Sequence, residues 1–489
     1  MLFLRKYYPV IFSLFFSLIM TFCSYKKEKN RNLMMYTKGV SDLERIKAQG
    51  SIKAITNYNS TDYFLYRGEP MGYQYDLLKL LAEHLQVNLE IVVSNDIQQM
   101  IESLNTGESD IIAINLTVTK ERNKIISFTE PHSQTRQVLV QRKPDNWRNM
   151  TYSELDSHLI RNQLDLGGKS VFIQKGSTFY TRLRNLSDEI GDSIDIYELP
   201  QLEVEEIIRL VVDGDIDYTV CDENVAMVNQ TYYPDIDIKT AISFPQNLAW
   251  AVRKESDELK AVIDKWLIDL KKTKKYSFIY NKYFRNSKSV DIVQSEFFSI
   301  NSGKISQYDD IIKQYSKEIG WDWTLLASMM YQESKFHPEV KSWAGAFGLM
   351  QIMPSTGERF GIDSLSSPHE NIAAGVRIIK WLDEQLTNKI ADEDERIKFV
   401  LAAYNVGLGH VLDARRLAKK NRKDPNIWDN SVDFFILHKS NPNYFNDPVV
   451  KHGYCRGEEP YNYVKEVIER YEHYKNVISN LEEGLMTYK

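Results

Sequence analysis

The chain has 489 residues, a formal net charge of −6, 26% charged side chains and 43% hydrophobic residues. This balance is typical of globular proteins, and the length predicts roughly two to four domains with sizeable cores. So small a net charge excludes the strongly basic surface with which nucleic-acid-binding proteins hold phosphates.

The N-terminus has the pattern of a secretion signal. Arg5 and Lys6 precede the apolar run PVIFSLFFSLIMTFC, which is short for a membrane-spanning helix. Cys23 ends this run, so residues 1–23 resemble a bacterial lipoprotein signal whose cysteine receives the lipid. The resemblance implies a periplasm-facing protein that residues 24–41 tether to a lipid anchor in the outer membrane. A signal cleaved elsewhere and an uncleaved anchor remain as alternatives.

Strands and helices alternate between residues 42 and 286. Short apolar segments such as SIKAITNY, LEIVVS, SDIIAINL and IDYTVCD predict strands. Segments such as YDLLKLLAEHL, DIQQMIESLNTG and LEVEEIIRLVV have helical spacing, and Ser177 or Thr178 can cap the helix that follows Gly176. The alternation predicts an α/β layer structure.

This region resembles the periplasmic solute-binding proteins for polar amino acids. The resemblance rests on GYQYDLLKLLA, GESDIIAINLTVTKERNKIISFTEP, GDIDYTVCDE and LAWAVRK. It implies a solute-binding domain over residues 42–286 whose two lobes close on a ligand by hinge motion. Lobe 1 would comprise about 42–140 and 245–286, and lobe 2 about 141–244.

The same resemblance implies a set of regulatory ligand-binding residues. Arg122 matches the arginine that clamps a ligand carboxylate, and Thr117 supplies a hydroxyl just before it. Ser177 and Thr178 match donors at a helix start, and Asp222 matches the carboxylate that holds the ligand ammonium. The alternative is that Arg122 and Asp222 pair only with other residues of this chain.

The remainder of the chain predicts a linker and an all-α domain. Residues 287–303 lack a clear period, and residues 304–489 have almost wholly helical patterns. Besides Cys23, the chain has Cys221 and Cys455, which form neither a disulfide framework nor a metal-ligand pattern. HExxH, paired CxxC and GxSxG motifs are absent, so neither a metal nor another cofactor is predicted.

One carboxylate of the helical region lies on an apolar helix face. Trp323, Leu326, Met330 and Glu333 are spaced by three, four and three residues, and Pro338 disfavours helical backbone in the residue before it. From this pattern alone, Glu333 is either a structural carboxylate with a cationic or amide partner, or a general acid kept neutral by apolar surroundings.

Residues 304–489 resemble the lysozyme-like domain of lytic transglycosylases of the goose-lysozyme-related type. Four motifs occur in order: ASMMYQESKFHP, GAFGLMQIMPST, LAAYNVG and EEPYNYVKEV, the last with Pro460 where threonine is usual. The resemblance implies that Glu333 is the catalytic acid. The residues implied to bind the acetamido groups of the substrate and to orient Glu333 are Ser334, Gln351, Tyr404, Asn405 and Tyr463.

The reaction implied by this resemblance needs one carboxylate. Glu333 protonates the glycosidic oxygen between N-acetylmuramic acid and N-acetylglucosamine, and then accepts the proton of the muramyl C6 hydroxyl as that hydroxyl attacks C1. The product carries a 1,6-anhydromuramyl end. Ordinary glycosidases use two carboxylates, whereas the GLMQ and AAYNVG motifs contain no Asp or Glu.

Both halves in this order resemble the membrane-bound lytic murein transglycosylase F family. The resemblance implies that peptidoglycan glycan strands are the substrate. It also implies that an amino acid or a short stem peptide regulates the enzyme through the N-terminal domain. Two alternatives stay open: a muramidase that uses water, and a cell-wall or amino-acid receptor with a non-catalytic lysozyme-like domain.

Overall fold

The computed structural model describes residues 41–200, 202–285, 295, 299 and 303–487, with side chains as far as residue 478. The predicted signal segment, Cys23, the tether apart from residue 41, and most of the predicted linker lie outside the described residues. In the part of the chain that is described, no helix is both long enough and apolar enough to cross a bilayer.

The predicted fold class is confirmed: an α/β region precedes a helical one. In the described ranges the strands are β1 Ser51–Thr56, β2 Phe64–Tyr66, β3 Glu69–Met71, β4 Asn88–Val93, β5 Ile111–Thr117, β6 Ser127–Phe128, β7 Ser133–Thr135, β8 Gln137–Arg142, β9 Ser170–Gln174, β10 Asp195–Leu199, β11 Tyr218–Asp222, β12 Ile236–Asp237 and β13 Gln246–Val252.

The helices of the α/β region alternate with these strands. They are α1 Asp42–Gln49, α2 Tyr73–Leu85, α3 Ile97–Thr106, α4 Tyr152–Ser157, α5 Thr178–Ile190, α6 Val204–Asp213, α7 Glu223–Tyr232, α8 Asp257–Lys271 and α9 Lys274–Phe284.

The helical region follows. Its helices are α10 Asp309–Ile319, α11 Trp323–Ser334, α12 Pro354–Phe360, α13 Pro368–Thr387, α14 Glu393–Val406, α15 Leu408–Lys420, α16 Asp433–Leu437, α17 Pro442–Phe445 and α18 Glu458–Thr487.

Two sheets form the two lobes. The first has the order β4-β1-β5-β13-β6, with β7 against β13, and the second has the order β10-β9-β11-β8-β12. The chain crosses between them at Arg136, because β8 pairs with β11 through contacts such as Val140 with Thr219. The crossing therefore precedes the boundary near residue 140 that the sequence predicts.

Helix α11 lies at the centre of the helical region and packs against α10 and α18. Asp322 begins it by accepting a hydrogen bond from the Thr324 backbone N–H at 2.9 Å. The helix ends at Ser334, because Lys335 adopts left-handed backbone with φ +52°. This end comes three residues before His337, where the sequence predicts that Pro338 stops the helix.

The two regions share one continuous apolar core. Gly68, in the turn between β2 and β3, has φ +77°, and an added Cβ would meet Tyr474, Phe336 and Tyr331 within 2.5–2.9 Å. The Tyr474 hydroxyl donates to the Gly68 carbonyl oxygen at 2.7 Å. This hairpin turn of lobe 1 is therefore seated among aromatic side chains of α18 and the end of α11.

Ser299 falls within the predicted linker, yet it is buried. Its hydroxyl accepts a hydrogen bond from Tyr58 at 2.5 Å and donates to the Leu65 carbonyl oxygen at 2.9 Å. This position of the linker is thus packed onto lobe 1 rather than exposed to solvent.

Candidate active site and ligand cleft

Glu333 lies in the last turn of α11, beside the first turns of α18. The Tyr463 hydroxyl donates to Glu333 Oε1 at 2.5 Å. Burial raises the pKa of Glu333 to about 7, while the Tyr463 hydrogen bond lowers it and the nearby charge of Glu459 raises it. The carboxyl is therefore protonated to a large extent near neutral pH.

The alternative of a paired structural carboxylate finds no support in this geometry. Within the described residues, Glu333 forms no salt bridge, and its hydrogen-bond partner is the Tyr463 hydroxyl. A part-buried carboxyl without a cation beside it favours its neutral form. The arrangement therefore suits proton donation better than a permanent ion pair.

Tyr404 and Asn405 come from the end of α14, which Gly407 terminates with φ +91°. The Tyr404 hydroxyl donates to the Met350 carbonyl oxygen at 2.8 Å. Burial, and to a lesser degree the charge of Glu333, raise the pKa of Tyr404 well above its usual range. The half-buried Asn405 side chain makes no hydrogen bond within the described part of the chain, so its amide is available to a bound sugar.

The GLMQ loop is held by a residue to which the sequence analysis assigns no role. Asn371 Oδ1 accepts the Met350 backbone N–H at 2.8 Å, and Asn371 Nδ2 donates to the Phe347 carbonyl oxygen at 3.2 Å. Gly348, with φ +77°, lies against this amide so closely that a Cβ would come within 2.4 Å of it. Asn371 lies on α13, far along the chain from the loop, and no local pattern marks it.

Gln351 and Ser334 are both engaged with the backbone around this loop. Gln351 Nε2 donates to the carbonyl oxygens of Val340 at 2.9 Å and Gly348 at 2.8 Å, and its Oε1 accepts no hydrogen bond from any described residue. The buried Ser334 hydroxyl donates to the Leu349 carbonyl oxygen at 2.8 Å. This hydrogen bond joins the end of α11 to the GLMQ loop, and both roles predicted for Ser334 stay predictions.

The five predicted ligand residues of the α/β region line one cavity of about 70 Å³ between the lobes: Thr117, Arg122, Ser177, Thr178 and Asp222. Arg122 spans the cleft, since its guanidinium donates to the carbonyl oxygen of Thr117 at 3.2 Å and to that of Gly176 at 3.3 Å. The Ser177 hydroxyl donates to the Gln174 carbonyl oxygen at 2.7 Å.

Arg122 and Asp222 are near one another but form no salt bridge. Burial lowers the pKa of Arg122 to about 10, and Asp222 opposes this effect. Burial raises the pKa of Asp222 to about 7, with Asp62 adding to the effect and Arg122 opposing it. Asp222 Oδ1 is buried and has no hydrogen-bond partner among the described residues. It is thus free to accept from a ligand.

The sequence analysis missed three further carboxyl groups in the same cleft. Asp62, Glu203 and Glu205 all line the cavity. Glu203 and Glu205 belong to the segment LEVEEIIRLVV. The helical period of this segment indicates only which of its residues face away from the core of lobe 2. What lies opposite them depends on lobe closure, which the sequence does not encode locally.

The buried cysteines and the acidic groups form no metal site in the described ranges. Cys221 and Cys455 are free thiols. Burial raises the pKa of Cys221 well above its usual range, which disfavours thiolate chemistry there. No group of three or more His, Cys, Asp or Glu side chains within those ranges is arranged to hold a metal ion.

Comparisons with known proteins fall on both regions of the chain. Residues 43–286 match the bacterial extracellular solute-binding proteins of family 3, and residues 310–427 match the transglycosylase SLT domain. A membrane-bound lytic murein transglycosylase F from Desulfosudis oleivorans is 33% identical over 440 residues, which is 89% of this chain and 92% of the relative. One from Aliivibrio fischeri is 30% identical over 442 residues, covering 89% of this chain and 84% of the relative.

A solved structure matches about half of the chain. The crystal structure of an ancestral amino acid-binding protein, a precursor of cyclohexadienyl dehydratase, is 26% identical with a TM-score of 0.42. The match covers 50% of this chain and 100% of that chain.

Proposed function

This chain belongs to the membrane-bound lytic murein transglycosylase F family, and on that premise we propose that it cleaves the MurNAc–GlcNAc β-1,4 bond and leaves 1,6-anhydromuramyl ends. It is a lytic transglycosylase of the cell envelope that acts on peptidoglycan. The observation that carries the proposal is Glu333, a carboxyl with a pKa of about 7, hydrogen-bonded to Tyr463 and unpaired with any cation in the described residues.

The first step is general acid catalysis. Protonated Glu333 donates its proton to the glycosidic oxygen, and the bond from that oxygen to muramyl C1 breaks. The Tyr463 hydroxyl then stabilises the new carboxylate through the same hydrogen bond. Asn405 and the free Oε1 of Gln351 are the groups that we assign to binding the acetamido substituents.

The second step uses the same carboxylate as a base. The C6 hydroxyl attacks C1, and its proton goes to Glu333, which restores the acid for another cycle. Water takes no part, so the two products together have the composition of the substrate. Glu459 is the nearby carboxylate that could activate water in a muramidase.

Replacement of Glu333 by Gln tests the assignment. Glu333→Gln keeps the shape of the side chain but removes proton transfer, so cleavage should fall by roughly a hundredfold to ten-thousandfold. Binding of the variant to intact glycan strands should change little. Glu459→Gln is the matched control, because it should lower the pKa of Glu333 without removing the acid. A Glu333→Gln enzyme that retains normal activity would refute the assignment.

We further propose that a ligand in the α/β cleft regulates cleavage. The ligand would be an amino acid or a short stem peptide whose carboxylate binds Arg122 and whose ammonium binds Asp222. Lobe 1 contacts both elements that hold the catalytic pair, because the Gly68 turn packs against Tyr331 of α11 and Tyr474 of α18. A ligand changes the cleavage rate only to the extent that it binds the open and the closed arrangement of the lobes with different affinity.

Substitution of the guanidinium tests this regulation. Arg122→Ala should weaken ligand binding, measured by calorimetric titration with free amino acids and stem peptides. It should also abolish any change in cleavage rate that the ligand causes in the unmodified enzyme. If no ligand binds the intact protein, the cleft is a vestigial or protein-docking site and the regulatory proposal is wrong.

We also propose that the chain is anchored at the outer membrane through a lipid on Cys23. The support is the apolar run that ends at this cysteine and the polar segment after it. Residues 24–41 would then hold the catalytic region within reach of the peptidoglycan layer.

A further inference from the structure

The ligand cleft has a large excess of acidic side chains. Four carboxyl groups and one guanidinium line it, and no lysine or histidine does so among the described residues. The five groups are Asp62, Arg122, Glu203, Glu205 and Asp222. A ligand carboxylate bound to Arg122 would occupy the single cation and leave the four acidic groups facing the rest of the ligand.

Asp62 belongs to lobe 1 and is held in place by amides. Its Oδ1 accepts from Asn115 Nδ2 at 3.0 Å and its Oδ2 from Asn59 Nδ2 at 3.1 Å. Gln74 orients Asn115 by donating to its Oδ1 at 3.1 Å. Each of these donors is a neutral amide, so Asp62 is fixed in position, and no cation among the described residues neutralises its charge.

The two glutamates approach from the N-terminal end of helix α6 of lobe 2, where Glu203 immediately precedes the helix and Glu205 lies in its first turn. Glu203 Oε1 accepts from Gln174 Nε2 at 3.1 Å. Glu205 reaches across the cleft to lobe 1, where its carboxylate accepts from the Ser60 backbone N–H at 3.1 Å and from the Ser60 hydroxyl. Neither glutamate forms a salt bridge within the described residues. The acidic groups therefore converge from both lobes on one space.

Without a ligand, this arrangement is unfavourable for ionised carboxyls. Burial raises the pKa of Asp62 to about 7, with the charge of Glu205 adding to the effect. Burial also raises the pKa of Glu203 well above its usual range, and Glu205 and Asp62 add to it. Buried carboxyls that lack a cation favour their protonated form, and they ionise more readily when a ligand places a cation beside them.

We propose that the cleft is selective for a ligand with one carboxylate and at least two cationic nitrogen groups. The inference rests on the proposed ligand-binding function and specifies the class of that ligand. The carboxylate binds Arg122 and the α-ammonium binds the free Oδ1 of Asp222. The second ammonium or guanidinium binds among Asp62, Glu203 and Glu205. A basic amino acid has this set of groups, and so does a short peptide that ends in one, with its N-terminal ammonium in place of the α-ammonium.

The test compares ligands that differ by one charge on the unmodified full chain. Calorimetric titration would use L-arginine against L-citrulline, and L-lysine against L-norleucine. A short peptide that ends in lysine and the same peptide acetylated on the side-chain amine form the third pair. Charge-assisted hydrogen bonds contribute about 1.5–3 kcal/mol, so in whichever pair binds, the cationic member should bind at least about tenfold more tightly.

Proton release is a second readout on the same samples. A cationic ligand should displace protons from the carboxyls, so its binding enthalpy at pH 7 should vary with the ionisation enthalpy of the buffer. Its affinity should rise as the pH increases through about 7, because Asp62 and Asp222 then ionise. The neutral partner of each pair still brings one ammonium to Asp222, so it should show both effects to a smaller extent.

Variants assign the preference to the acidic groups. Asp62→Asn and Glu203→Gln should each reduce the ratio of the affinity for the cationic ligand to the affinity for the neutral ligand. Asp213→Asn is the matched control, because Asp213 ends the same helix as an exposed partner of Arg209 and does not line the cleft. The control should leave the ratio unchanged.

The outcomes separate this inference from the function on which it rests. The charge selectivity is overturned if, in every pair that binds, the cationic member binds less than tenfold more tightly than the neutral member, or if the neutral member binds more tightly. Either result would leave amino-acid binding intact. If none of the six ligands binds, the selectivity for a basic ligand is overturned, and the titration with other amino acids and stem peptides decides whether the proposed ligand function fails as well.

Discussion

Removal of the Tyr463 hydroxyl should move the pH profile of cleavage. In the structure this hydroxyl donates to Glu333 Oε1 at 2.5 Å and favours the ionised form of a carboxyl whose pKa is about 7. Tyr463→Phe removes that donor and leaves the ring in place. The anion loses its stabilisation, so the carboxyl should hold its proton to higher pH.

The size of the effect follows from the bond that is lost. A hydrogen bond to a charged group contributes about 1.5–3 kcal/mol, and a pKa change of one corresponds to about 1.36 kcal/mol. The alkaline limb of kcat/KM, which reports loss of the acidic proton from the free enzyme, should therefore move upward by about one to two pH units. The sign is fixed because the hydroxyl donates to the carboxylate and not to the neutral acid.

The assay is the initial rate of cleavage of soluble glycan strands at subsaturating concentration from pH 5 to 9. Tyr404→Phe is the matched control, because the Tyr404 hydroxyl donates to the Met350 carbonyl oxygen instead of to Glu333. Its alkaline limb should stay near that of the unmodified enzyme. An unchanged or downward-shifted limb in Tyr463→Phe would refute the role that we assign to this hydrogen bond.

Three other perturbations have definite expected outcomes. Gly68→Ala should lower the free energy of unfolding, measured in urea, by about 1–3 kcal/mol, because its Cβ would collide with three aromatic side chains. Gly50 has a similar φ of +73° but lies in open space, so Gly50→Ala should lower the free energy of unfolding by less, and equal losses in the two variants would contradict this explanation. Asp413→Ala should lower the free energy of unfolding by about 3–5 kcal/mol, because it leaves the fully buried Lys439 ammonium without its 2.6 Å ion partner. The double variant with Lys439→Met should recover part of this loss in the same titration, since the backbone N–H groups of Lys451 and His452 still lose their acceptor, and no recovery would refute the ion-pair explanation. Cys23→Ala should release the protein into the soluble periplasmic fraction, and a variant that stays with membranes would indicate an uncleaved anchor.

The sequence predicts the position of Glu333 well because the signal there is local. Trp323, Leu326 and Met330 share a helix face with Glu333, as the spacing predicts. The other sides of α11 are buried as well, at residues such as Ala327 and Ser328. The end of the helix is less predictable. Pro338 restricts only the residue before it, whereas the left-handed Lys335 ends the helix earlier.

Contacts between distant parts of the chain are the features that sequence reasoning misses. Asn371 supports the GLMQ loop from a separate helix, and the turn at Gly68 meets Tyr474 across 406 positions of sequence. The sequence of the strand Gln137–Arg142 predicts a strand but not the sheet with which it pairs, so its residues do not assign it to a lobe. Each of these facts depends on which surfaces meet after folding.

The ligand cleft illustrates the same limit. Resemblance to a known family led to Arg122 and Asp222, which line one cavity with their neighbours in the structure. The surplus of carboxyls arises only in the folded chain, where Glu203 and Glu205 of one lobe line the same cavity as Asp62 of the other. The helical period of a sequence predicts which residues share one face of a helix. Only the tertiary structure shows which part of the protein lies opposite that face.

The central claim is that the C6 hydroxyl, and not water, completes the cleavage at the site of Glu333. Mass spectrometry of purified peptidoglycan digested with the full chain tests this most directly. We expect muropeptide ends that are lighter by one water than hydrolysed ends, and none of these products from Glu333→Gln. Reducing ends that carry the full water, formed by the unmodified enzyme, would identify a muramidase and contradict the mechanism.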